Sequence, residues 1–353
     1  MAKKVLIVDD SALVRKQLKE IIETLGYEID IAKNGQEAVK KAIAMQYDVI
    51  TMDINMPEMN GLDAIKEIME KKPTPILMVS SLTTDGAAIT MDALDLGAVD
   101  YIAKPGTMNI GRDQNSEEIM QKVKSLSRIP ARRLQTLHTR SHLKRQRVYE
   151  INNKPEQTLS STDIKKIILI GSSTGGPGLI EQICSSLPAN YKYPICIVQH
   201  MPEQFTKTFA ERLNRTCALN VHETSNDLEI LPGNVYVARG GVHLKFRKKV
   251  SGKIVVREEQ NKGSSFFQPS VNEMMLSALE IFSASNIIGV ILTGIGDDGA
   301  DAAVKLKLAG AYTIGESEAT ATVYGMPRAA YEKGGITEQL DFHNILKKIV
   351  TLK

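Results

Sequence analysis

The stretch KKIILIGSSTGG, residues 165–176, restricts the fold more than any other part of this chain. A short apolar run between two lysines and a polar turn reads as a strand buried on both faces, as in a parallel sheet covered by helices. The turn opens into GLIEQIC, which has a helical pattern. A strand that breaks through small residues into a helix presents its last side chains at the carboxyl edge of the sheet, where open α/β folds bind ligands. Ser172, Ser173 and Thr174 stand at that turn, beside N–H groups that a helix start leaves unpaired. Alone, their hydroxyls suit a helix cap; they also suit a nucleophile or a phosphate cradle.

The same alternation fills residues 1–125. Strand-like runs VLIVDD (5–10), YEIDIA (27–32), YDVITMD (47–53), PILMVSS (75–81) and VDYIAKP (99–105) are separated by amphipathic helical stretches. Such an order predicts a five-stranded, parallel, doubly wound sheet. Asp9 and Asp10 end the first run, Asp53 the third, Ser80 the fourth and Lys104 the fifth, so one sheet edge gathers them all. Clustered carboxylates repel unless a cation sits among them, and an all-oxygen set suits Mg²⁺. With a lysine and a hydroxyl beside it, Asp53 is a candidate aspartyl-phosphate.

The pair Asp9–Asp10, DINMPEMNG at 53–61, Ser80 and YIAKP at 101–105 resemble a response-regulator receiver domain, a flavodoxin-like fold, over the whole segment. The resemblance implies that Asp53 accepts phosphate from a histidine kinase. It implies a Mg²⁺ site from Asp10, Asp53 and the carbonyl of Asn55, with Asp9 at longer range. Ser80 and Tyr101 would be the switch pair, and Lys104, followed by a cis peptide to Pro105, would contact the phosphoryl group.

A last receiver helix, SEEIMQKVKSL, is expected to open at Ser116. Residues 128–163 lose apolar periodicity and carry a run of arginines and lysines, then NNKPEQTLSST; they read as an interdomain linker between a receiver at 1–127 and a catalytic domain at 164–353. His138 and His142 within it lack further ligands. A net charge of +3 is too weak to point to nucleic acid. Cys184, Cys196 and Cys217 form no metal spacing and are expected buried and reduced. The N-terminus starts a strand without a signal-peptide core and no apolar run is long enough to span a bilayer, so a soluble, cytoplasmic protein without membrane insertion is expected.

Beyond the linker, YPICIVQHMP (193–202), NIIGVILTGIGDDG (286–299) and GAYTIGES (310–317) read as further buried strands. Residues 231–259 alternate short β runs with turns, which predicts antiparallel hairpins beside a mainly parallel, doubly wound sheet. Ser173, His200 and Asp298 then fall at strand ends in that order. A hydroxyl, an imidazole to take its proton and a carboxylate to orient the imidazole are what acyl transfer needs, in any chain order. Asp297 and Asp298 also suit a turn and helix cap. The turn has neither a GxSxG elbow, nor a GK[ST] phosphate loop, nor a GxGxxG dinucleotide spacing.

GSSTGG, QHMP, LTGIGDDGA and ATVYGMP together resemble the catalytic domain of the CheB family of chemotaxis methylesterases, from about Ile164 onward. What the resemblance implies is hydrolysis of glutamate methyl esters on the cytoplasmic helices of chemoreceptors, and deamidation of certain receptor glutamines. Ser173 would be the nucleophile, His200 the base, Asp298 its orienting carboxylate and Thr174 a support for His200, with no cofactor for the ester chemistry. Phosphate on Asp53 would relieve inhibition by the receiver. The chain departs from the family at Asp297, Ile295, Arg239 and ESEAT (316–320), and a second carboxylate at Asp297 is expected to raise a neighbouring pKa. The alternatives are a transcriptional or scaffolding response regulator whose C-terminal domain binds rather than catalyses; no basic recognition helix supports the first.

Overall fold

The computed structural model describes residues 2–81, 83–105, 112–130, 133–134, 154, 160–260 and 267–352. The chain divides into two compact units, Met1–Val148 and Tyr149–Lys353.

In the first unit β1 (Lys4–Val8), β2 (Glu28–Ala32), β3 (Val49–Asp53), β4 (Ile76–Ser80) and β5 (Asp100–Ala103) pair in parallel, in the order β2-β1-β3-β4-β5. Burial follows position: β3 and β4 are buried at every residue, whereas the edge strand β2 is mostly half-exposed. That is why the inner strands read as unbroken apolar runs and the edge strand carries charge. The chain passes outward from β1 to β2 and returns past β1 to β3, so a crevice opens above the carboxyl ends of β1 and β3. The last helix runs Arg112–Leu126 rather than from Ser116. Its first turn, RDQN, holds no Gly or Pro, so Ser116 becomes an interior residue.

The expected linker lies largely outside the described residues, as do His138 and His142. At its start, Ile129 and Leu134 pack on the core of the first unit. At its end, Ser161 is buried and donates to Glu229 (2.8 Å) in the second unit.

The second unit has seven parallel strands in the order β14-β13-β12-β6-β7-β9-β8. In chain order these are β6 (Ile167–Ser172), β7 (Ile195–Gln199), β8 (Asn220–Glu223), β9 (Asn234–Val237), β12 (Ile287–Ile291), β13 (Tyr312–Glu316) and β14 (Glu338–Leu340). The strands β10 (His243–Lys248) and β11 (Ile254–Glu259) form one antiparallel hairpin. Leu244, Phe246, Ile254 and Val256 of this hairpin join a core cluster with Met274 and Ala278 of the helix Val271–Ile281. One of the runs expected in hairpins, β9, is instead a parallel strand between β7 and β8. Four residues with every position buried carry no alternation to distinguish the two roles.

Central β6 is buried throughout, and each of its large aliphatic side chains contributes about 1.5–3 kcal/mol by leaving water. The chain runs from β6 to β7 and on to β8 and β9, then crosses to β12 on the other side, so β6 and β12 flank the point where strand order reverses. A Cβ at Gly171 would lie 2.4 Å from Val271 Cγ1, so only glycine lets the start of the helix Val271–Ile281 close on β6 there.

Candidate functional site

Strand register brings two of the sequence-predicted residues together. Ser172 on β6 pairs with Gln199 on β7, so Ser173 and His200 are the next residues of adjacent strands. His200 N donates to Ser172 O (3.1 Å), and Ser173 N donates across to Thr293 O (3.0 Å), just past β12. Asp298 comes from the turn that precedes the helix Ala300–Leu308 rather than from a strand end. Its Oδ2 lies 2.8 Å from His200 Nε2.

Asp298 is 5% exposed and is held on all sides. Ser270 Oγ (2.8 Å) and Asn272 N (3.0 Å) donate to its Oδ1, and Val271 N donates to its Oδ2 (2.7 Å). The amides belong to the first turn of the helix Val271–Ile281, whose dipole favours a negative charge there. Burial pushes the Asp298 carboxyl up, but the hydrogen bond and charge of His200 and the amides of Asn272 and Val271 outweigh it and hold the group below the usual carboxylate range. Asp297 does not raise it: that side chain is 70% exposed and faces Lys333 at 3.8 Å.

An ionised carboxylate only accepts, so in the neutral imidazole the proton shared with Asp298 sits on His200 Nε2 and the lone pair on Nδ1. His200 Nδ1 is buried and makes no hydrogen bond among the described residues, Ser173 included. Such bonds are often open before substrate binds. Phe267 stacks on the imidazole with centroids 4.1 Å apart and planes 7° apart, fixing the ring's tilt.

The three hydroxyls of the turn separate by role. Ser172 is fully buried and donates to Gln199 Oε1 (2.7 Å), while Gln199 Nε2 donates to Ser173 O (3.0 Å). This bridge ties the ends of β6 and β7, and it needs Gly176, where a Cβ would lie 2.3 Å from Gln199 Oε1. Ser173 is 8% exposed and Thr174 1%. The helix Gly176–Ser186 starts at Gly175 without a side-chain cap, so the hydroxyls do not cap it. Its first N–H groups thus have no side-chain acceptor at the cap position.

Cys184, Cys196 and Cys217 are free and buried, as expected. Burial pushes the Cys196 thiol up, and the hydrogen bond that Cys184 shares with Cys217, with burial, raises that of Cys184. The same hydrogen bond lowers the Cys217 thiol, but Cys217 is fully buried like the other two, so brief treatment of the folded protein with iodoacetamide is expected to leave hydrolysis within about twofold of the untreated rate; rapid inactivation would implicate a thiol instead of Ser173.

In the first unit Asp9, Asp10 and Asp53 place one oxygen each within 4.8 Å of one another. Asp9 Oδ1 accepts from Ser11 N (2.8 Å) and Asp53 Oδ1 from Ile54 N (2.8 Å). Their other oxygens face Lys104 Nζ at 3.3 and 2.9 Å. Burial dominates and raises both carboxyls despite the lysine, so the cluster is short of positive charge. An all-oxygen set of this kind fits Mg²⁺. Asn55 lies in the loop after β3. Ser80 is buried and accepts from Thr90 Oγ1 (2.9 Å), and Tyr101 is buried on β5, which pushes its phenol well up. The Lys104–Pro105 peptide is not cis; Gln268–Pro269 is the cis bond among the described residues. A trans X–Pro bond is the lower-energy form, and Lys104 N still donates to Ser80 O (2.9 Å) beside it.

Sequence reasoning missed Gln199, Phe267, Ser270, Thr293 and Glu316. Each acts through a contact distant along the chain; QHMP, LTGIGDDGA and ESEAT contain Gln199, Thr293 and Glu316, but nothing local in those segments marks the contacts.

A family model described as CheB methylesterase matches residues 168–349, and one described as response regulator receiver domain matches residues 5–112. The protein-glutamate methylesterase/protein-glutamine glutaminase 2 of Carboxydothermus hydrogenoformans is 48% identical over 99% of this chain and 98% of its own length. The protein-glutamate methylesterase/protein-glutamine glutaminase of Caldanaerobacter subterraneus is 44% identical over 94% of this chain and 91% of its own length. The crystal structure of the Thermotoga maritima CheB methylesterase catalytic domain is similar at 39% identity with a TM-score of 0.51, covering 53% of this chain and 98% of that one.

Proposed function

We propose, from the premise that this chain belongs to the CheB methylesterase family, that it is a phosphorylation-activated hydrolase of chemoreceptor glutamate methyl esters and a deamidase of receptor glutamines. The observation that carries the site assignment is the 2.8 Å pair of His200 Nε2 with buried Asp298, beside Ser173 on the adjacent strand. The domain limits follow as a receiver at 1–127, a linker at 128–163 and a catalytic domain at 164–353. The protein works in the cytoplasm, on the cytoplasmic helices of chemoreceptors, with a chemotaxis histidine kinase as phosphodonor.

The ester reaction runs in two halves. Ser173 Oγ attacks the substrate γ-carbonyl as its proton passes to His200 Nδ1, the nitrogen that Asp298 leaves free. The imidazolium so formed is stabilised by Asp298, and it returns the proton to the leaving methanol or ammonia. A water molecule then gives its proton to His200 Nδ1 and attacks the acyl-serine, and His200 returns that proton to Ser173 Oγ as glutamate is released. N–H groups near Thr174 and Gly175, or in the Ile295 turn, serve the developing oxyanion; the uncapped start of the helix Gly176–Ser186 supports the first of these. Thr174 supports His200.

In the receiver Asp53 accepts the phosphoryl group. Asp9, Asp10, Asp53 and the carbonyl of Asn55 are the residues that would hold Mg²⁺, which supplies charge neutralisation to the incoming phosphoryl oxygens. Lys104, 2.9 Å from Asp53 Oδ2, is placed to turn to those oxygens, and Ser80 and Tyr101 form the switch pair.

The test is methanol release from methylated receptor membranes with and without a small-molecule phosphodonor and Mg²⁺. Wild type is expected to speed up with phosphodonor, while Asp53→Asn stays at the basal rate. Equal stimulation of Asp53→Asn would place the phosphate elsewhere, and absence of release from wild type would leave a binding domain.

A further inference from the structure

We infer that Thr293 and Glu316 are positioning residues for the nucleophile, forming a buried strut that sets where the Ser173–Thr174 turn stands above the sheet. The inference rests on the reading of Ser173 as nucleophile and adds two residues with no role in the chemistry described above. Thr293 follows β12 and is fully buried, and all three of its polar groups are engaged. Its carbonyl accepts the Ser173 N–H at 3.0 Å. Its hydroxyl donates to Thr174 O at 2.9 Å and accepts from Val323 N at 2.9 Å. One side chain and its own backbone therefore grip the nucleophile residue and the residue after it.

The grip is held from behind. Thr293 N donates to Glu316 Oε2 at 2.8 Å, and Glu316, at the end of β13, is fully buried. Its Oε1 accepts from Thr320 Oγ1 (3.0 Å), which in turn accepts from Phe342 N (2.9 Å). A buried carboxylate is costly unless its oxygens receive hydrogen bonds, and these donors are on the chain's own framework. The path Phe342–Thr320–Glu316–Thr293–Ser173 links the start of the helix Phe342–Val350 and the end of β13 to the reacting turn. Nucleophile placement matters because an error near 1 Å in a reacting group can cost about a hundredfold in rate. Thr293 N needs one acceptor oxygen rather than the charge: glutamine can keep that oxygen toward Thr293 N and donate its NH₂ to Thr320 Oγ1, so it should serve where leucine should not.

Four variants of the full chain test this: Thr293→Val, Thr293→Ser, Glu316→Leu and Glu316→Gln, assayed for methanol release with phosphodonor and Mg²⁺. Thr293→Val is expected to lower kcat roughly 10–100-fold with KM within about twofold, and Thr293→Ser to recover to within about threefold of wild type. Glu316→Leu should follow Thr293→Val, and Glu316→Gln should follow Thr293→Ser. A fluorophosphonate that labels serine nucleophiles should react with Ser173 more slowly by the same factors, with Asp53 phosphorylation unchanged. A wild-type kcat and labelling rate in Thr293→Val, or a change in KM alone, overturns the strut. If Glu316→Leu does not fold, the two Thr293 variants decide. Methanol release that persists in Ser173→Ala would instead overturn the nucleophile assignment, and the labelling rates keep the two failures apart.

Discussion

Ser173→Ala is expected to lose methanol release by on the order of 10⁶-fold in kcat, while Ser172→Ala stays within about tenfold of wild type. The two serines are adjacent and the sequence offers both at the same turn, but their surroundings divide them. Ser172 Oγ is committed to Gln199 Oε1 at 2.7 Å and is fully buried, so it has neither a base nor a path to substrate. Removing it costs one buried hydrogen bond, about 1 kcal/mol of stability, and loosens the brace between β6 and β7 without removing a reacting atom. Ser173 stands one residue on, level with His200, and its alanine variant keeps every backbone bond of the turn. The protein should thus fold normally and accept phosphate on Asp53 at the wild-type rate. Rates are read as methanol released per phosphorylated enzyme, with unfolding temperature as the control. Equal losses in both variants would mean that the brace, not the Ser173 hydroxyl, had been measured; a dead Ser172→Ala beside an active Ser173→Ala would move the nucleophile by one residue.

The contrast between those serines shows what a sequence carries and what it does not. Central strands were legible because burial on both faces demands an unbroken apolar run, as in IILIG and PILMV. The residue that ends such a run lands on the carboxyl edge, so Ser173, His200 and the acidic cluster of Asp9, Asp10 and Asp53 followed from strand ends alone. Short edge strands were not legible: β8 and β14 carry three or four residues of mixed character, and nothing in them exceeds the signal of a loop. Asp298 could not be separated from Asp297 by spacing, since the deciding facts are the amides of Val271 and Asn272. Phe267 over His200 and Glu316 behind Thr293 are likewise side chains that meet only after the sheet is assembled. Local pattern fixes the elements and the edge they share, whereas the partners that tune each group come from segments a hundred residues apart or from turns with no period of their own.

Asp298→Asn is expected to lower kcat by about 10⁴-fold while leaving His200, Phe267 and the Ser173 turn in place. An amide at this position has one acceptor oxygen where the carboxylate has two, and the carboxylate takes four hydrogen bonds: from Ser270, Val271, Asn272 and His200. With its NH₂ turned toward His200, the amide would donate to Nε2 and force the proton onto Nδ1, which then has no lone pair to take a proton in the proposed reaction. The imidazolium formed during attack would also lack its counter-charge. The change has a cost in stability of roughly 1.5–3 kcal/mol, from charge-assisted bonds to buried donors. Its pH dependence has a definite sign. The folded-state pKa of Asp298 is depressed, so its contribution is fully present above the ordinary carboxylate value, near 3.9, and is lost as pH falls through the folded value. The stability gap between wild type and Asp298→Asn should therefore shrink as pH falls below about 4, as read by denaturant unfolding at each pH. The loss in kcat, measured near neutrality where both forms are folded, should appear without a matching rise in KM, because Asp298 is buried with its oxygens committed to Ser270, Val271, Asn272 and His200. A gap that widened as pH fell below about 4, or a loss confined to KM, would mean that Asp298 stays neutral in the fold and serves as a cap on the helix Val271–Ile281 alone.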